Sequence, residues 1–302
     1  MSVAALHQRL APLFGDRLRA SEPLARHTSY RIGGPADLLV RPDSTDELGV
    51  VLRKAAAHDV RVTLLGGGSN MLVGDGGIRG VVVKLGRGFR RVEWHADGAR
   101  AGAAVQLGRL ARDSVARGLA GLEHAEGIPG TVGGALYMNA GAYGGEVAGI
   151  ADAVEGLDGV GNPRTLGREA LPFSYRRAHL PPGFVVTAVA FKLRPDDVEA
   201  VRARFEDVRA RRLASQPQGQ PSAGSIFKNP LGDHAGRLIE VAGLKGWRVG
   251  GARFSDRHAN FIVNDGRARA ADVQALMAIA QRAVWERSGV WLEPEVRLVG
   301  SW

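Results

Sequence analysis

Leu64-Leu65-Gly66-Gly67-Gly68-Ser69-Asn70 closes an apolar run that includes Val60 and Val62, and its reading decides the fold. The run predicts a buried strand, and the triplet at its carboxyl end is not an ordinary turn. Three glycines in a row remove every Cβ, so backbone N–H groups can approach and ring an anion. A second cluster, Gly127-Ile128-Pro129-Gly130-Thr131-Val132-Gly133-Gly134, is followed by Asn139-Ala140-Gly141-Ala142-Tyr143-Gly144. Its proline stands at a plausible helix start, and helix N-termini also hold phosphates. Two such devices in one chain suggest a pyrophosphate-containing ligand gripped from both sides.

Outward from the triplet the pattern is β-α-β. A strand over 36–40 precedes Pro42, and Ser44 with Glu47 forms a capping box for a helix whose inner face is Leu48, Val51, Leu52 and Ala55. Val81 to Val83 reads as the next strand. The triplet thus sits at the carboxyl end of a strand, where α/β sheets bind ligands. No G-x-G-x-x-G follows a strand, which speaks against a nicotinamide-type dinucleotide fold. A short amphipathic helix (Val3, Leu6, Leu10, Leu13) opens the chain. Strands are expected near 91–94, 99–103, 153–157 and 185–193, with helices near 107–117 and from Val198 through Val208. Gln216-Pro217-Gln218-Gly219-Gln220-Pro221 reads as a linker. Helices near 235–242 and 271–288 follow, the latter stopped by Gly289, and a last strand is expected over 295–299. The expected units are 1–85, 86–214 and 215–302.

Composition narrows the function classes. The 302 residues, 45% hydrophobic and 24% charged, suit an ordinary globular protein with a real core. Zero cysteines remove disulfides, iron–sulfur clusters and thiol nucleophiles, and deprive His124-Ala125-Glu126 of the Cys-x-x-Cys that a zinc deaminase needs. None of the lysines (Lys54, Lys84, Lys192, Lys228, Lys245) follows a glycine, so there is no Walker A loop. The net charge of +9 permits acidic partners. Its densest stretch, Arg202 to Arg212, alternates with apolar residues as a solvated helix face does, and nucleic acid is not expected. The histidines show no ligand spacing, so no metal is expected. Met1 to Phe14 has no signal-peptide core and no stretch reaches membrane-spanning length, so a cytoplasmic protein is expected; the sequence does not give the oligomeric state, a monomer being favoured.

Together these strings resemble the UDP-N-acetylenolpyruvoylglucosamine reductase family of flavoenzymes. The resemblance runs from Thr28-Ser29-Tyr30-Arg31-Ile32-Gly33-Gly34 to Leu298. Beyond the glycine segments it rests on Phe173-Ser174-Tyr175-Arg176, Ala223-Gly224-Ser225-Ile226-Phe227-Lys228-Asn229-Pro230, Ala242-Gly243-Leu244-Lys245-Gly246, His258-Ala259-Asn260-Phe261-Ile262 and Leu292-Glu293-Pro294-Glu295-Val296-Arg297. It implies an α+β fold: an FAD-binding fold of the vanillyl-alcohol-oxidase type, with two α+β subdomains, and a C-terminal α+β substrate-binding domain. The spacing from Arg176 to Ser225 resembles the compact subtype, which lacks an extra substrate-covering loop.

By the same resemblance NADPH reduces FAD, which in turn reduces the enolpyruvyl ether of UDP-N-acetylglucosamine-enolpyruvate to UDP-N-acetylmuramate, a peptidoglycan precursor. Gly66, Gly67, Gly68, Ser69, Asn70, Gly127, Ile128, Gly130, Thr131 and Gly133 are the expected FAD contacts. Ser69-Asn70 stands where many relatives of the wider class carry a flavin-linked His, so the FAD is non-covalent. Arg176 is the expected stabiliser of negative charge, because a guanidinium stays protonated and grips a carboxylate bidentately. Ser225 is the expected proton donor and Glu295 the third catalytic residue. Glu293, two positions earlier on the same strand face, is the obvious confusion. A strand over 225–229 would put Ser225, Phe227 and Asn229 on one side. Tyr175, Asn229 and Lys245 are the expected substrate contacts. Another FAD oxidoreductase of the superfamily, a sugar or lactone oxidase, stays open as the alternative.

Overall fold

The computed structural model describes residues 2–302, and the chain divides into two compact units. The first comprises residues 1–20, 38–67 and 80–212, and the second residues 21–37, 68–79 and 213–302. The stretch 86–214 expected as a separate unit thus packs with most of 1–85, while 215–302 carries the second unit. The chain passes between units inside the glycine triplet and inside three strands, Leu18–Pro23, Pro35–Val40 and Ile78–Val83.

Those strands join Val62–Leu64 in a four-stranded sheet, whose strand order is Leu18–Pro23, Pro35–Val40, Ile78–Val83, Val62–Leu64. The last two run parallel, with Leu64 opposite Val83, and residues 65–77 between them carry the glycine triplet and the strand Met71–Val73. Helices α1 (Val3–Phe14) and α2 (Thr45–Ala57) bury Leu6, Leu10, Phe14, Leu48, Val51, Leu52 and Ala55 in one core. Each full-sized side chain there contributes about 1.5–3 kcal/mol. Half of the expected capping box forms. Ser44 Oγ accepts from Glu47 N at 3.2 Å, but the Glu47 carboxylate accepts from Asp43 N and forks onto Arg17 at 2.6 and 2.8 Å. The guanidinium draws the carboxylate away from the Ser44 amide, and it holds the Glu47 pKa below the usual carboxylate range.

The first unit also holds an antiparallel sheet, in the order Pro163–Gly167, Ala151–Leu157, Val185–Lys192, Gly98–Gly102, Val92–His95. Helices α3 (Leu107–Val115), α4 (Val132–Tyr137) and α5 (Val198–Ser215) supply its core partners Leu107, Leu110, Val132, Leu136, Val201 and Phe205. Helix α4 begins at Val132, with Thr131 as N-cap, rather than directly at Pro129. The residues between carry Gly130 at φ 112°, which is incompatible with a helix.

In the second unit the antiparallel sheet runs Ser222–Ser225, Phe261–Asn264, Ala252–Phe254, Arg248–Val249. Helices α6 (Ala235–Val241) and α7 (Ala270–Ser288) bury Leu238, Ile239, Val273, Leu276, Met277 and Val284 in its core. Asp75 caps α7 from a distant loop, its two oxygens accepting from Ala270 N at 2.9 Å and Ala271 N at 3.1 Å. Gly289 ends α7 in the left-handed region, φ 68°. The expected last strand over 295–299 is shorter, Arg297–Val299, and pairs parallel with Met71–Val73.

Candidate active site

In the first unit the two glycine clusters meet. The triplet leaves its strand where Leu65 N donates to Val83 O at 2.9 Å. A Cβ on Gly67 would lie 2.6 Å from Gly130 Cα, and one on Gly66 would lie 2.9 Å from Thr131 Oγ1. Gly127 takes φ 69°, and a Cβ there would lie 2.4 Å from Arg212 Cδ. The second segment is stitched to α3 and the antiparallel sheet: Leu107 N donates to Gly130 O, Val132 N to Val105 O, and Gly133 N to Ala103 O. The amides of Gly66, Gly67 and Gly127 have no acceptor among the described residues. Such a side-chain-free cradle with unspent donors fits a pyrophosphate.

Beside it lie groups to which the sequence assigned no role at the FAD site. Buried His124 spends Nδ1 on Gly121 O at 3.0 Å, while Nε2 is buried without a partner among the described residues, as is Glu126 Oε2. Burial holds the His124 pKa below its usual value. Arg212 stacks over Tyr143, its carbon 5.6 Å from the ring centre. His124, Glu126 and Tyr143 stand next to the glycines in sequence, whereas Arg212, read as part of a solvated helix face, is brought to Gly127 by the fold.

Arg176 occupies a two-residue hairpin tip between Phe173–Ser174 and Arg177–Ala178. Its φ of 59° is unusual for a residue with a side chain, and such strain concentrates at functional positions. The guanidinium lies 4.7 Å from the ring centre of exposed Tyr175. Asn139, 1% exposed, holds this hairpin: its Nδ2 donates to Ser174 O at 3.1 Å while its Oδ1 accepts from Ala148 N at 2.9 Å.

The remaining candidates belong to the second unit. Gly68 O accepts from Ser29 N at 3.1 Å, and Asn70 Nδ2 donates to Glu295 O at 3.1 Å. Arg297 N donates in turn to Asn70 O at 3.0 Å, so the tail of the glycine loop and the Glu295 segment are tied together. Glu295 N donates to Ile226 O at 2.8 Å, next to Ser225. Ser225 and Glu295, far apart in sequence, therefore share neighbouring backbone. Glu293 is exposed and its carboxylate is 2.5 Å from Lys228 Nζ, which separates it from half-buried Glu295.

The strand expected over 225–229 ends at Ser225, where the partner strand begins at Phe261, and a bulge lies between Ser222 and Ser225 with Gly224 at φ 73°. Ile226 and Phe227 are both fully buried, so alternation fails, and exposed Asn229 is not set beside Ser225 by a pleat. Asn229 Oδ1 instead accepts from Ala235 N at 3.1 Å, at the start of α6. Lys245 Nζ is 2.8 Å from Glu240 Oε1.

The parallel strand pair at the sheet edge, the antiparallel sheet and the paired glycine turns fit a class of protein, the α+β FAD-binding fold. Residues 36–162 match the family described as FAD binding domain, and residues 216–299 match UDP-N-acetylenolpyruvoylglucosamine reductase, C-terminal domain. The UDP-N-acetylenolpyruvoylglucosamine reductase of Rubrobacter xylanophilus is 47% identical, over 97% of this chain and 98% of its own. That of Myxococcus xanthus is 47% identical, over 98% of this chain and 97% of its own. The crystal structure of the Thermus caldophilus reductase superposes with a TM-score of 0.80 at 40% identity, covering 91% of this chain and 97% of that one. The chain belongs to the UDP-N-acetylenolpyruvoylglucosamine reductase family, a family of FAD-binding oxidoreductases. Among the described residues no helix is long and apolar enough to cross a membrane.

Proposed function

We propose that the protein reduces UDP-N-acetylglucosamine-enolpyruvate to UDP-N-acetylmuramate with NADPH, in the cytoplasm, as a step of peptidoglycan precursor synthesis. Family membership and the backbone shared by Ser225 and Glu295 carry this reading. Gly66, Gly67, Gly68, Ser69, Gly127, Ile128, Gly130, Thr131 and Gly133 would hold FAD, with the amides of Gly66, Gly67 and Gly127 as backbone donors and the others by close approach of the two turns, and Asn70 would couple that loop to Glu295. When bound, FAD carries the reducing equivalents of NADPH to the terminal carbon of the enolpyruvyl ether.

Arg176 grips the substrate carboxylate, where negative charge grows as the double bond is reduced. Ser225 gives the α-carbon its proton: the Oγ–H bond breaks and a C–H bond forms. A serine hydroxyl is a weak acid, but an enolate carbon is basic enough to take it. Glu295 then returns a proton to Oγ or holds the carboxylate by donating a hydrogen bond. Tyr175, Asn229 and Lys245 orient the nucleotide, Lys245 by its charge toward phosphate.

The test separates the half-reactions without air. Ser225→Ala protein should be reduced by NADPH at the normal rate, seen as loss of flavin absorbance at about 450 nm. Its reoxidation by the enolpyruvyl nucleotide should slow by orders of magnitude to a residual rate. Equal loss of both half-reactions would overturn the proton-donor role.

A further inference from the structure

We infer that Asn260 is a positioning residue for proton transfer, fixing the peptide that follows Ser225. The inference rests on the reading of Ser225 as proton donor.

The strand Phe261–Asn264 pairs with Ser222–Ser225, Ser225 lying opposite Phe261. Both strands end there. The chain before Phe261 turns back, with Phe261 N donating to His258 O at 3.0 Å. The ladder that fixes Ser225 should therefore fray at the residue meant to act.

Asn260 extends it. Its main-chain carbonyl accepts from Ile226 N at 2.9 Å. Its side chain then does what a further strand residue would do: Oδ1 accepts from Phe227 N at 2.9 Å and Nδ2 donates to Phe227 O at 2.8 Å. The side chain is 2% exposed, so these bonds do not compete with water. On the other flank, Glu295 N donates to Ile226 O at 2.8 Å and Lys228 N to Glu293 O at 2.9 Å. Residues 226–228 are thus clamped between Asn260 and the Glu295 segment. Ser225 has glycine on its N-terminal side, Gly224 at φ 73°, so its position is set chiefly from the C-terminal side.

An amide serves both bonds at every pH, because it offers a donor and an acceptor in one plane and does not titrate. Asp loses the donor while ionised, and Ala loses both. A displacement of about 1 Å at a reacting group typically costs about 100-fold in rate.

The experiment measures both half-reactions anaerobically in the FAD-loaded wild type and in Asn260→Ala, Asn260→Asp, Ser225→Ala and the Asn260→Ala/Ser225→Ala pair. It also measures binding of the enolpyruvyl nucleotide to the oxidised protein, read from perturbation of the flavin spectrum. Asn260→Ala should slow reoxidation about 100-fold, with reduction by NADPH and nucleotide affinity within about threefold. Combined with Ser225→Ala it should add no further loss, because the group it positions is already gone. In Asn260→Asp, reoxidation relative to wild type should recover as pH falls, since a protonated carboxyl donates to Phe227 O again. That variant decides the question if Asn260→Ala does not fold. Reoxidation at the wild-type rate in Asn260→Asp at every pH, or a loss that adds fully to that of Ser225→Ala, overturns the inference. A Ser225→Ala protein reoxidised normally would instead sink the proton-donor reading itself.

Discussion

Replacing Gly67 by alanine tests whether the two glycine turns hold FAD by close approach of bare backbone. The new methyl carbon would stand 2.6 Å from Gly130 Cα, 3.4 Å from Gly130 C and 3.5 Å from Thr131 N. Carbon atoms rest at about 3.5–4.0 Å, so the turns must separate by about 1 Å. Every obstructing atom is backbone, and no side chain can swing aside. Gly130 is itself pinned, because its carbonyl accepts from Leu107 N at 3.0 Å. Overpacking of this kind costs about 1–3 kcal/mol. Without FAD the turns can relax apart, so most of the cost falls on binding, which weakens by about 5- to 150-fold. Flavin titration of the apoprotein, followed by fluorescence quenching, measures it. Gly149→Ala is the control, since nothing lies within 4 Å of the added carbon. A Gly67→Ala protein whose FAD affinity stays within threefold of wild type would refute the cradle.

At the hairpin tip, Arg176→Gly should relieve the strain at φ 59° and leave the unfolding free energy unchanged or higher, by about 1 kcal/mol at most, while turnover collapses. Arg176→Lys should also lose about 100-fold in turnover, because a point charge cannot fork onto a carboxylate; normal kcat in either protein removes Arg176 from the site. Asp75→Ala leaves Ala270 N and Ala271 N without their acceptors and should cost about 1–2 kcal/mol in urea unfolding; an unchanged midpoint would mean water serves α7 as well. Burial lowers the His124 pKa, so below about pH 6.5 the unfolded chain takes up a proton before the folded one does. Stability should fall as pH drops from about 7 toward 5.5, by at most about 1.4 kcal/mol per unit from this group, and His124→Gln should flatten that slope. A slope identical to wild type would mean that His124 is solvated.

The sequence carried the parts of this structure whose cause is local. Consecutive glycines announce a Cβ-free turn wherever they occur, and the apolar spacing of Leu48, Val51, Leu52 and Ala55 gave the buried face of α2. Gly289 stopped α7 as a residue suited to positive φ should. Local signals misled where a distant group competed. Glu47 read as a capping-box partner until Arg17, 30 positions earlier, took its carboxylate. Ser225 to Asn229 read as a pleated run, but the strand ends at Ser225 and the burial of both Ile226 and Phe227 breaks the alternation. Arg176, Ser225 and Glu295 could be chosen only by resemblance, since a lone Arg, Ser or Glu in a loop has no periodicity to mark it. The supporting bonds of the asparagines could not be read at all: Asn70 was expected only against FAD, and Asn139 and Asn260 stood only as members of the resembling strings. Asn139 meets Ser174 across 35 positions, Asn260 meets Phe227 across 33, and Asn70 meets Glu295 across 225.

These asparagines answer a problem that the proposed chemistry creates. A reactive group at a strand end or hairpin tip can reach its substrate, but there the ladder stops and backbone groups lose partners. Burying such a segment unpaired costs about 1–3 kcal/mol per group, so an unsupported segment would fray rather than hold geometry. Asparagine solves this at each place. Asn139 ties the hairpin of Arg176, Asn70 the carbonyl of Glu295, and Asn260 the peptide after Ser225. Serine or threonine would reach one partner with one oxygen, and a longer glutamine would have more rotamers to lose. Short amides let irregular backbone be rigid where a regular sheet would bury the group that must act.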